Sequence, residues 1–445
     1  MVVVVLVGAI LAFLDATVVN VSLKSLSTDL GGSLDTVQWV VTGYLLAQAA
    51  VLPATGWAVR RAGAKRLYIA ALLTFVLASA ACAAANSIEM LIAARVLQGL
   101  GAGVMVPAGQ ILMVTTAGKQ GMARAMVAAG IPMMLTPVIG PTIGGLLLEY
   151  AGWQWIFLIN LPIGALGLIL AWRLLPRTAR DELSGALDLV GLTLVVLGMI
   201  GLTYGLSEAA DHGLNQPGVL VPLCGGIALT AAFIAHSLRV PHPLLDLRLW
   251  RDRFFALGAV TTAALGTVTF GAMILLPLYF QLIRHLDAAH TGMLMAPQGI
   301  GAAAALALSA PIYEKIGPLV CVVGGLLCCA ATIPFLFLAA DTPYWALGSA
   351  MVVRGLGIGL AAMPAMTVAM RDLSPGQIVD ATPQLHVLQR IGGSVGTAVF
   401  VVVLQQHLVG GGVRGFDVSF SWVLGASVLA VVPAAGMGVL WWRRT

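Results

Sequence analysis

Long apolar runs alternate with short polar breaks along the whole chain. Each run is about as long as the ~20 residues with which an α-helix crosses a bilayer. The pattern predicts fourteen membrane-spanning helices, at residues 2–23, 36–58, 67–86, 88–115, 122–148, 155–175, 186–206, 217–238, 253–282, 288–313, 318–340, 344–370, 381–408 and 419–442. The breaks are too short to hold a separate soluble domain. We therefore predict an all-α polytopic membrane protein.

Composition excludes several other classes of protein. Hydrophobic residues make up 60% of the 445 residues and charged residues only 9%, a balance that soluble domains do not reach. The net charge is +5, but the basic residues are scattered over short loops, so we expect no nucleic-acid partner. All five cysteines lie inside apolar runs, so we expect neither disulfides nor a metal site. The first run lacks a basic leader and a cleavage site, and we interpret it as a span.

Lysine and arginine are distributed unevenly between the two predicted sides. With a cytoplasmic amino terminus, seventeen of the 23 basic residues fall on cytoplasmic segments, three on the opposite side and three within helices. An excess of Lys and Arg marks the cytoplasmic side of membrane proteins. We therefore expect a multi-pass protein of the cell (inner) membrane with both termini in the cytoplasm.

Two stretches of the chain repeat weakly. Gly63 and Gly317 end similar segments 254 residues apart, and Arg95 and Arg354, 259 residues apart, each precede a glycine-rich stretch. Many secondary transporters are built from parallel repeats of this kind, with the substrate site between the halves. The predicted domains are an N-terminal six-helix bundle (1–180), two linking transmembrane helices (181–245) and a C-terminal six-helix bundle (246–445).

One charged residue, Asp15, lies near the middle of the first apolar run. A carboxylate at mid-helix costs about 2.5–3.5 kcal/mol on insertion scales. Proteins that tolerate this cost often use the group to move protons. Arg95 lies at a similar depth in the fourth span, and we expect it to set how readily Asp15 binds a proton or to exchange with that proton. The alternatives are a purely structural carboxylate and an arginine that snorkels to the outer interface.

Other polar, aromatic and methionine side chains within the runs are candidates for the wall of a substrate cavity. The thirteenth span places His386 and Arg390 on one face at helical spacing, with Gln389 beside them. The alternatives are an interfacial histidine with satisfied hydrogen bonds and methionines that only fill the core. The complete set is Asn20, Tyr44, Gln48, Gln98, Met133, Met134, Phe270, Met273, Gln298, Arg354, Met363, His386, Gln389 and Arg390.

Prolines and glycines mark segments that could move. Two prolines one turn apart bend the fifth span, and glycines beside them permit close helix packing. Structure alone could equally require these residues. Together with the loop after the second span and its counterpart in the second half, the candidates for conformational change are Gly56, Arg60, Arg61, Gly63, Arg66, Pro137, Gly140, Pro141, Gly144, Gly145 and Glu314. Gly99 and Gly103 are interpreted as helix packing.

No constellation typical of an enzyme is present. The apolar runs carry no paired acids, no Cys/His ligand spacing, no phosphate-binding loop and no nucleophile beside a base. We therefore predict a protein that is not an enzyme, that needs no cofactor and that draws its energy from a proton gradient.

Five segments resemble the major facilitator superfamily, and within it the fourteen-spanner drug:proton antiporters. They are residues 14–20 in the first span, 38–40 with 44–47 in the second, 95–103 in the fourth, 140–145 in the fifth and 153–164 at the start of the sixth. The resemblance covers essentially the whole chain. It implies the major facilitator fold, two six-helix bundles plus two extra central helices, and export of amphipathic compounds in exchange for protons by alternating access. It also implies that segment 95–103 takes part in proton coupling.

Three positions depart from the pattern of that family. Arg60 stands where the loop after the second span normally carries an Asp that helps to hold one closed state, and Ala64 stands where it carries a basic residue. Glu314, at the equivalent position of the second half, is a candidate to compensate. Gln154 replaces the usual Arg between two tryptophans.

The buried charges leave the identity of the substrate open. One acid against three intramembrane arginines gives a cavity no clear preference for organic cations. The alternative function is therefore a lipid, glycolipid or anionic-metabolite exporter of the same fold. The predicted partners are amphipathic small molecules or lipids, protons and membrane lipid, and we expect a monomer.

Overall fold

A computed structural model describes residues 1–31, 33–176, 185–212, 216–407 and 413–443. Within these ranges nearly every residue is helical and no β-strand occurs. Thirteen of the helical segments are long and apolar enough to cross a membrane. The prediction of an all-helical, multi-pass membrane protein is confirmed.

Fifteen α-helices follow one another along the chain. They are α1 (Val2–Leu30), α2 (Leu34–Val51), α3 (Thr55–Ala62), α4 (Ala64–Ala83), α5 (Ile88–Tyr150), α6 (Gln154–Leu158), α7 (Asn160–Leu174), α8 (Leu189–His212), α9 (Pro217–Arg239), α10 (Arg253–Leu278), α11 (Ala288–Ile316), α12 (Leu319–Thr332), α13 (Tyr344–Ala369), α14 (Pro375–His407) and α15 (Arg414–Trp442). Short 3-10 or π turns follow α2, α10 and α12 and precede α10.

Helix α5 holds two of the predicted spans. Its 63 residues would extend about 95 Å if they formed one straight helix, far beyond the ~30 Å of a bilayer core. Gly118 interrupts it with φ 65° and ψ −175°, a backbone conformation that favours glycine. The break falls between the predicted spans 88–115 and 122–148, so that fourteen membrane-crossing helices are consistent with the structure.

The chain forms two compact units. The first comprises Met1–Asp188 together with Ile378–Pro383 of α14, and the second comprises Leu189–Gln377 and Gln384–Thr445. Helices α8 and α9 pack against each other and are grouped with the second unit. The assignment of residues 181–245 to a separate pair of linking helices stays a prediction. The boundary of that segment at residue 180 lies outside the described residues.

In the first unit, α5 packs against α1, α2 and α4. Gly99 and Gly103 of α5 lie directly against α2, where an added Cβ at Gly103 would come within 2.9 Å of the Cα of Gln48. Such small residues let helix backbones approach closely in a membrane, where packing rather than hydrophobic burial drives association. The close packing brings the polar side chains of α5 against its neighbours.

In the second unit, α13 packs against α10, α11 and α12, and α15 packs against α10 and α12. Gly355 and Gly359 of α13 meet α11, where an added Cβ at Gly355 would lie 2.7 Å from the backbone nitrogen of Ala302. The five cysteines of the chain are all free thiols. Cys82, Cys321 and Cys328 are buried, Cys329 is half-buried, and Cys224 on α9 is exposed.

Candidate functional site

A group of buried polar side chains surrounds Asp15 in the first unit. Asp15 lies on α1 and is only 2% exposed. Its Oδ2 accepts a hydrogen bond from Nη1 of Arg95, and the two side chains form an ion pair. Its Oδ1 accepts from Nε2 of Gln98 at 2.8 Å and from Nδ2 of Asn160 at 3.0 Å. Three side-chain donors therefore satisfy the two oxygens of this carboxylate.

Arg95 is fully buried on α5 and pairs with Asp15 rather than reaching an interface. Its Nε donates to the backbone oxygen of Val40 at 3.0 Å, and its Nη1 also donates to Oε1 of Gln98 at 2.6 Å. The guanidinium carbon lies 4.1 Å from the centre of the Tyr44 ring, a cation–π contact. Nη2 has no hydrogen-bond partner among the described residues.

Five side chains form what we name the Asp15 cluster: Asp15, Ser79, Arg95, Gln98 and Asn160. Arg95 and Gln98 share one face of α5 because they are three residues apart. Ser79 of α4 accepts from Nε2 of Gln98 at 2.7 Å and donates to the oxygen of Phe75 at 2.9 Å. Four helices, α1, α4, α5 and α7, thus supply the cluster.

Sequence reasoning identified Asp15, Arg95 and Gln98 but missed Ser79 and Asn160. Asn160 belongs to the segment 153–164 that carries the family resemblance, yet nothing in the sequence alone places it beside Asp15. Ser79 lies within an apolar run and hydrogen-bonds its own helix, as many serines in membrane helices do. Only the packing of α4 and α7 against α5 and α1 shows that both belong to the site.

Binding of a proton to Asp15 would change the net charge of the cluster. With Asp15 ionised, the Asp15–Arg95 pair has no net charge. With Asp15 protonated, the positive charge of Arg95 has no counterion in the cluster. In a medium of low dielectric constant, this change in net charge alters the stability of the surrounding packing.

Arg60 finds a partner that the sequence analysis did not consider. In the first unit it forms an ion pair with Asp380, with side-chain exposures of 24% and 19%. Gly56 lies beside the same segment, where an added Cβ would come within 3.1 Å of the oxygen of Val379. Asp380 is therefore an acid that contacts Arg60, and a compensating role for Glu314 stays a prediction.

The other candidates for conformational change are spread over both units. Gly63 has φ 81°, and Arg61 and Arg66 are exposed. Gly144 packs against α1, where an added Cβ would meet Cγ1 of Val18 at 2.9 Å. Gly140 likewise packs on α1, where it lies against Thr17. Gly145 faces open space, and Glu314 of the second unit is exposed. The side chains of Pro137 and Pro141 lie outside the described residues.

The cavity candidates are distributed over both units, and their common role as a cavity wall stays a prediction. In the first unit Tyr44 and Gln48 are buried and Met133 is half-buried, while the side chains of Asn20 and Met134 lie outside the described residues. In the second unit Met363 is buried. The half-buried members of the second unit are Phe270, Met273, Gln298, His386, Gln389 and Arg390.

Arg354 is the most unusual of the candidates in the second unit. It is fully buried on α13, and its Nη2 donates to the backbone oxygen of Val268 at 2.8 Å. Its Nε and Nη1 have no hydrogen-bond partner within the described ranges. Among all the residues that the structure describes, no group of three or more His, Cys, Asp or Glu residues could hold a metal ion.

Comparison with known proteins identifies the family. A family model described as the Major Facilitator Superfamily matches residues 5–397. The chain belongs to this superfamily. Major facilitator proteins are transporters, not enzymes, and the multi-pass helical architecture of this member agrees with that assignment.

Several relatives of this major facilitator protein are named for drug resistance. It is 38% identical over 402 residues to the Multidrug resistance protein B homolog of Mycobacterium tuberculosis (strain ATCC 25618 / H37Rv), covering 89% of this chain and 74% of that protein. It is 30% identical over 399 residues to the Putative multidrug resistance protein MdtD of Cronobacter sakazakii, covering 89% and 84%.

Solved structures share the fold of this major facilitator protein at low sequence identity. A doubly tryptophan-substituted variant of XylE matches with a TM-score of 0.71 and 14% identity, over 99% of this chain and 98% of that one. The human organic anion transporter MFSD10 (TETRAN) matches with a TM-score of 0.67 and 16% identity, over 97% and 98%. At such identities the likeness shows the fold alone.

Proposed function

We propose that this major facilitator protein is a proton-coupled antiporter that exports amphipathic drugs or similar small molecules by alternating access. The names of its relatives support a small-molecule substrate. The uneven distribution of Lys and Arg supports an inner-membrane location with cytoplasmic termini. The energy source in this proposal is the proton gradient, with no cofactor and with a monomer as the working unit.

The observation that carries the proposal is the buried Asp15–Arg95 pair. A titratable carboxylate deep in a membrane protein costs free energy, and proteins that keep one commonly use it to carry protons. Proton binding at Asp15 leaves Arg95 without its counterion, so the conformation that stabilises the pair loses its advantage. A proton can therefore shift the balance between two conformations by its different affinity for each.

A second candidate function rests on Arg354. A fully buried guanidinium with two nitrogens that lack acceptors among the described residues is costly unless an anion compensates it. An anionic metabolite or the head group of a lipid carries such a charge. Export of lipids, glycolipids or anionic metabolites is therefore the alternative that this single feature favours.

Efflux from cells tests the main proposal. Cells that produce the wild type, Asp15→Asn or Asp29→Asn at matched levels are loaded with a fluorescent lipophilic cation, with and without a protonophore. Asp29→Asn is the matched control, because it makes the same substitution at an exposed acid of α1. We expect protonophore-sensitive efflux from the wild type and the control and a loss of at least about tenfold in Asp15→Asn, as expected when a proton-transfer group is removed.

The other outcomes are equally informative. Protonophore-sensitive efflux that survives in Asp15→Asn would show that Asp15 does not carry the proton. Absence of efflux of the cation from every variant would remove the drug-cation assignment. In that case transport of a fluorescent phospholipid or an organic anion is measured in the same cells.

A further inference from the structure

Asn160 uses the two ends of its side-chain amide unequally. Its Nδ2 donates to Oδ1 of Asp15 at 3.0 Å and to Oγ of Ser79 at 3.4 Å. Its Oδ1 is buried and has no hydrogen-bond partner in the described part of the chain. The whole side chain is only 1% exposed. Buried acceptors without a donor are rare, and each calls for an explanation.

The other amide of the Asp15 cluster, Gln98, is fully occupied. Its Nε2 donates to Asp15 and to Ser79, at 2.8 and 2.7 Å. Its Oε1 accepts from Nη1 of Arg95 at 2.6 Å and from the thiol of Cys82 at 3.6 Å. Exchanging the nitrogen and oxygen of Gln98 would break all four contacts. The same exchange at Asn160 breaks only the contacts of Nδ2.

Protonation of Asp15 changes what its neighbours must provide. The carboxylate only accepts hydrogen bonds, whereas the protonated acid has an O–H that needs an acceptor. Arg95 can only donate, and the contacts of Asp15 with Gln98 and Asn160 are also made by N–H donors. The amide oxygen of Asn160 is the acceptor of the cluster that no donor already occupies.

We propose that Asn160 is a positioning residue that follows the protonation state of Asp15. While Asp15 is ionised, Nδ2 of Asn160 donates to its Oδ1. When a proton binds to Oδ1, a new O–H bond forms and the contact from Nδ2 breaks. Rotation of the amide by about half a turn then brings Oδ1 of Asn160 to accept the acid proton. This inference rests on the proposed proton-coupled function.

The titratable and charged groups in and next to the Asp15 cluster come from four helices, α1, α2, α4 and α5. They are Asp15 on α1, Tyr44 on α2, Cys82 on α4 and Arg95 on α5. Removal of the Asn160 amide takes from the ionised carboxylate one of three donors. The same change removes the Asn160 Oδ1, the one side-chain acceptor of the cluster that is open to the protonated acid. The protonated form therefore loses more, and a higher proton concentration is needed to populate it.

Transport in proteoliposomes tests the inference. Purified full-length wild type, Asn160→Leu, Asn160→Gln and Gln110→Leu are reconstituted, and proton-driven transport of the fluorescent cation is measured against the pH of the proton-donating side. Gln110→Leu is the matched control, because it removes another buried amide of the first unit that contacts Met126. Exchange of the cation at equal pH on both sides is measured in parallel.

We expect the pH midpoint of Asn160→Leu to move about one unit toward acid, a tenfold higher proton requirement. Exchange at equal pH should fall less than proton-driven transport does. Asn160→Gln should recover part of the shift, since its amide can also donate and accept, and Gln110→Leu should keep the wild-type midpoint. An unchanged midpoint in Asn160→Leu, or an equal loss of exchange and proton-driven transport, overturns the inference.

The Asp15→Asn variant separates this inference from the proposed function. If Asp15→Asn keeps the wild-type pH dependence, the proposed function fails. If it abolishes that dependence while Asn160→Leu behaves as the wild type, only the role of Asn160 fails.

A second measurement does not depend on whether Asn160→Leu folds. The chain has four asparagines, at positions 20, 86, 160 and 215, so selective ¹⁵N labelling of their side chains gives a simple NMR spectrum. The Asn160 amide signals should move with pH in the wild type and stay fixed in Asp15→Asn. Signals that stay fixed in both overturn the inference.

Discussion

Arg95 and Arg354 occupy comparable places in the two units but differ in their electrostatic surroundings. Each is fully buried on a helix that glycines pack tightly against its neighbours. Arg95 pairs with Asp15 and donates to Gln98 and Val40. Arg354 donates to the backbone oxygen of Val268, and two of its nitrogens lack partners in the described part of the chain.

The difference follows from one residue in the helix opposite each arginine. At the 254-residue offset between Gly63 and Gly317, Thr269 of α10 corresponds to Asp15 of α1. The carboxylate of the first unit is thus replaced by the backbone carbonyl of Val268, the residue before Thr269. A carbonyl dipole accepts one hydrogen bond but does not neutralise a charge. The first unit therefore pairs its buried arginine with a carboxylate, whereas the buried arginine of the second unit meets a backbone carbonyl.

The largest expected effect is the difference in stability between removing Arg95 and removing Arg354. Arg95→Leu leaves Asp15 buried without its cation, and breaking a buried pair in this way costs about 3–5 kcal/mol. Arg354→Leu removes a charge for which the described residues supply no counterion, so it should leave stability unchanged or raise it. Apparent melting temperatures in detergent compare the two variants. Equal destabilisation would show that the two arginines do not differ as described.

The double variant Asp15→Leu with Arg95→Leu serves as the control for this experiment. Replacing a whole buried pair by apolar groups is often nearly neutral. The double variant should therefore melt at a higher temperature than Arg95→Leu alone, although its proton-driven transport is lost.

An acid placed beside Arg354 would reduce the difference between the units. Cys328 of α12 is buried and near enough for its thiol and the guanidinium to interact electrostatically. Cys328→Asp should be more stable than the neutral Cys328→Asn by about 1.5 kcal/mol, since a hydrogen bond to a charged group contributes ~1.5–3 kcal/mol. The order should reverse in an Arg354→Leu background. The same melting experiment decides, and an unchanged order would contradict the pairing.

The smallest effect is expected at the partly exposed pair Arg60–Asp380, in contrast to the buried pair of the same unit. Accessible ion pairs contribute ~0.2–1 kcal/mol. Arg60→Asp places two acids together and should lower the melting temperature slightly. Adding Asp380→Arg should restore it. Both changes should shrink at high salt, where screening weakens exposed charges, and a change that is independent of salt would argue against an electrostatic cause.

Much of the fold could be predicted from hydrophobic patterning alone. Apolar runs of spanning length mark the helices because each must satisfy its backbone hydrogen bonds within the bilayer. The main surprises are local. Pro53 lies in a 3-10 turn that divides the predicted span 36–58 into α2 and α3. Two predicted spans follow each other directly in α5, with only the break at Gly118 between them. Such details depend on single backbone positions that periodicity does not report.

The candidate site was less predictable than the fold. Asp15 and Arg95 stand out because charges within apolar runs are rare. Asn160 and Asp380 do not stand out, because each lies near the end of an apolar run, where polar residues are common. Their roles depend on which helix packs beside them, and the sequence holds that information only through the tertiary contacts of many residues.

The arrangement of thiols described above has a practical consequence for chemical labelling. Cys224, the exposed cysteine, lies within the candidate span Pro217–Arg239 and thus faces lipid hydrocarbon in a bilayer. A charged reagent enters lipid hydrocarbon only at a high cost in free energy, so charged, water-soluble maleimides should react slowly with the native protein. An uncharged, lipid-soluble reagent should attach at Cys224 first. The unmodified chain can therefore carry a spin label or fluorophore at a defined lipid-facing position, without removal of any other cysteine.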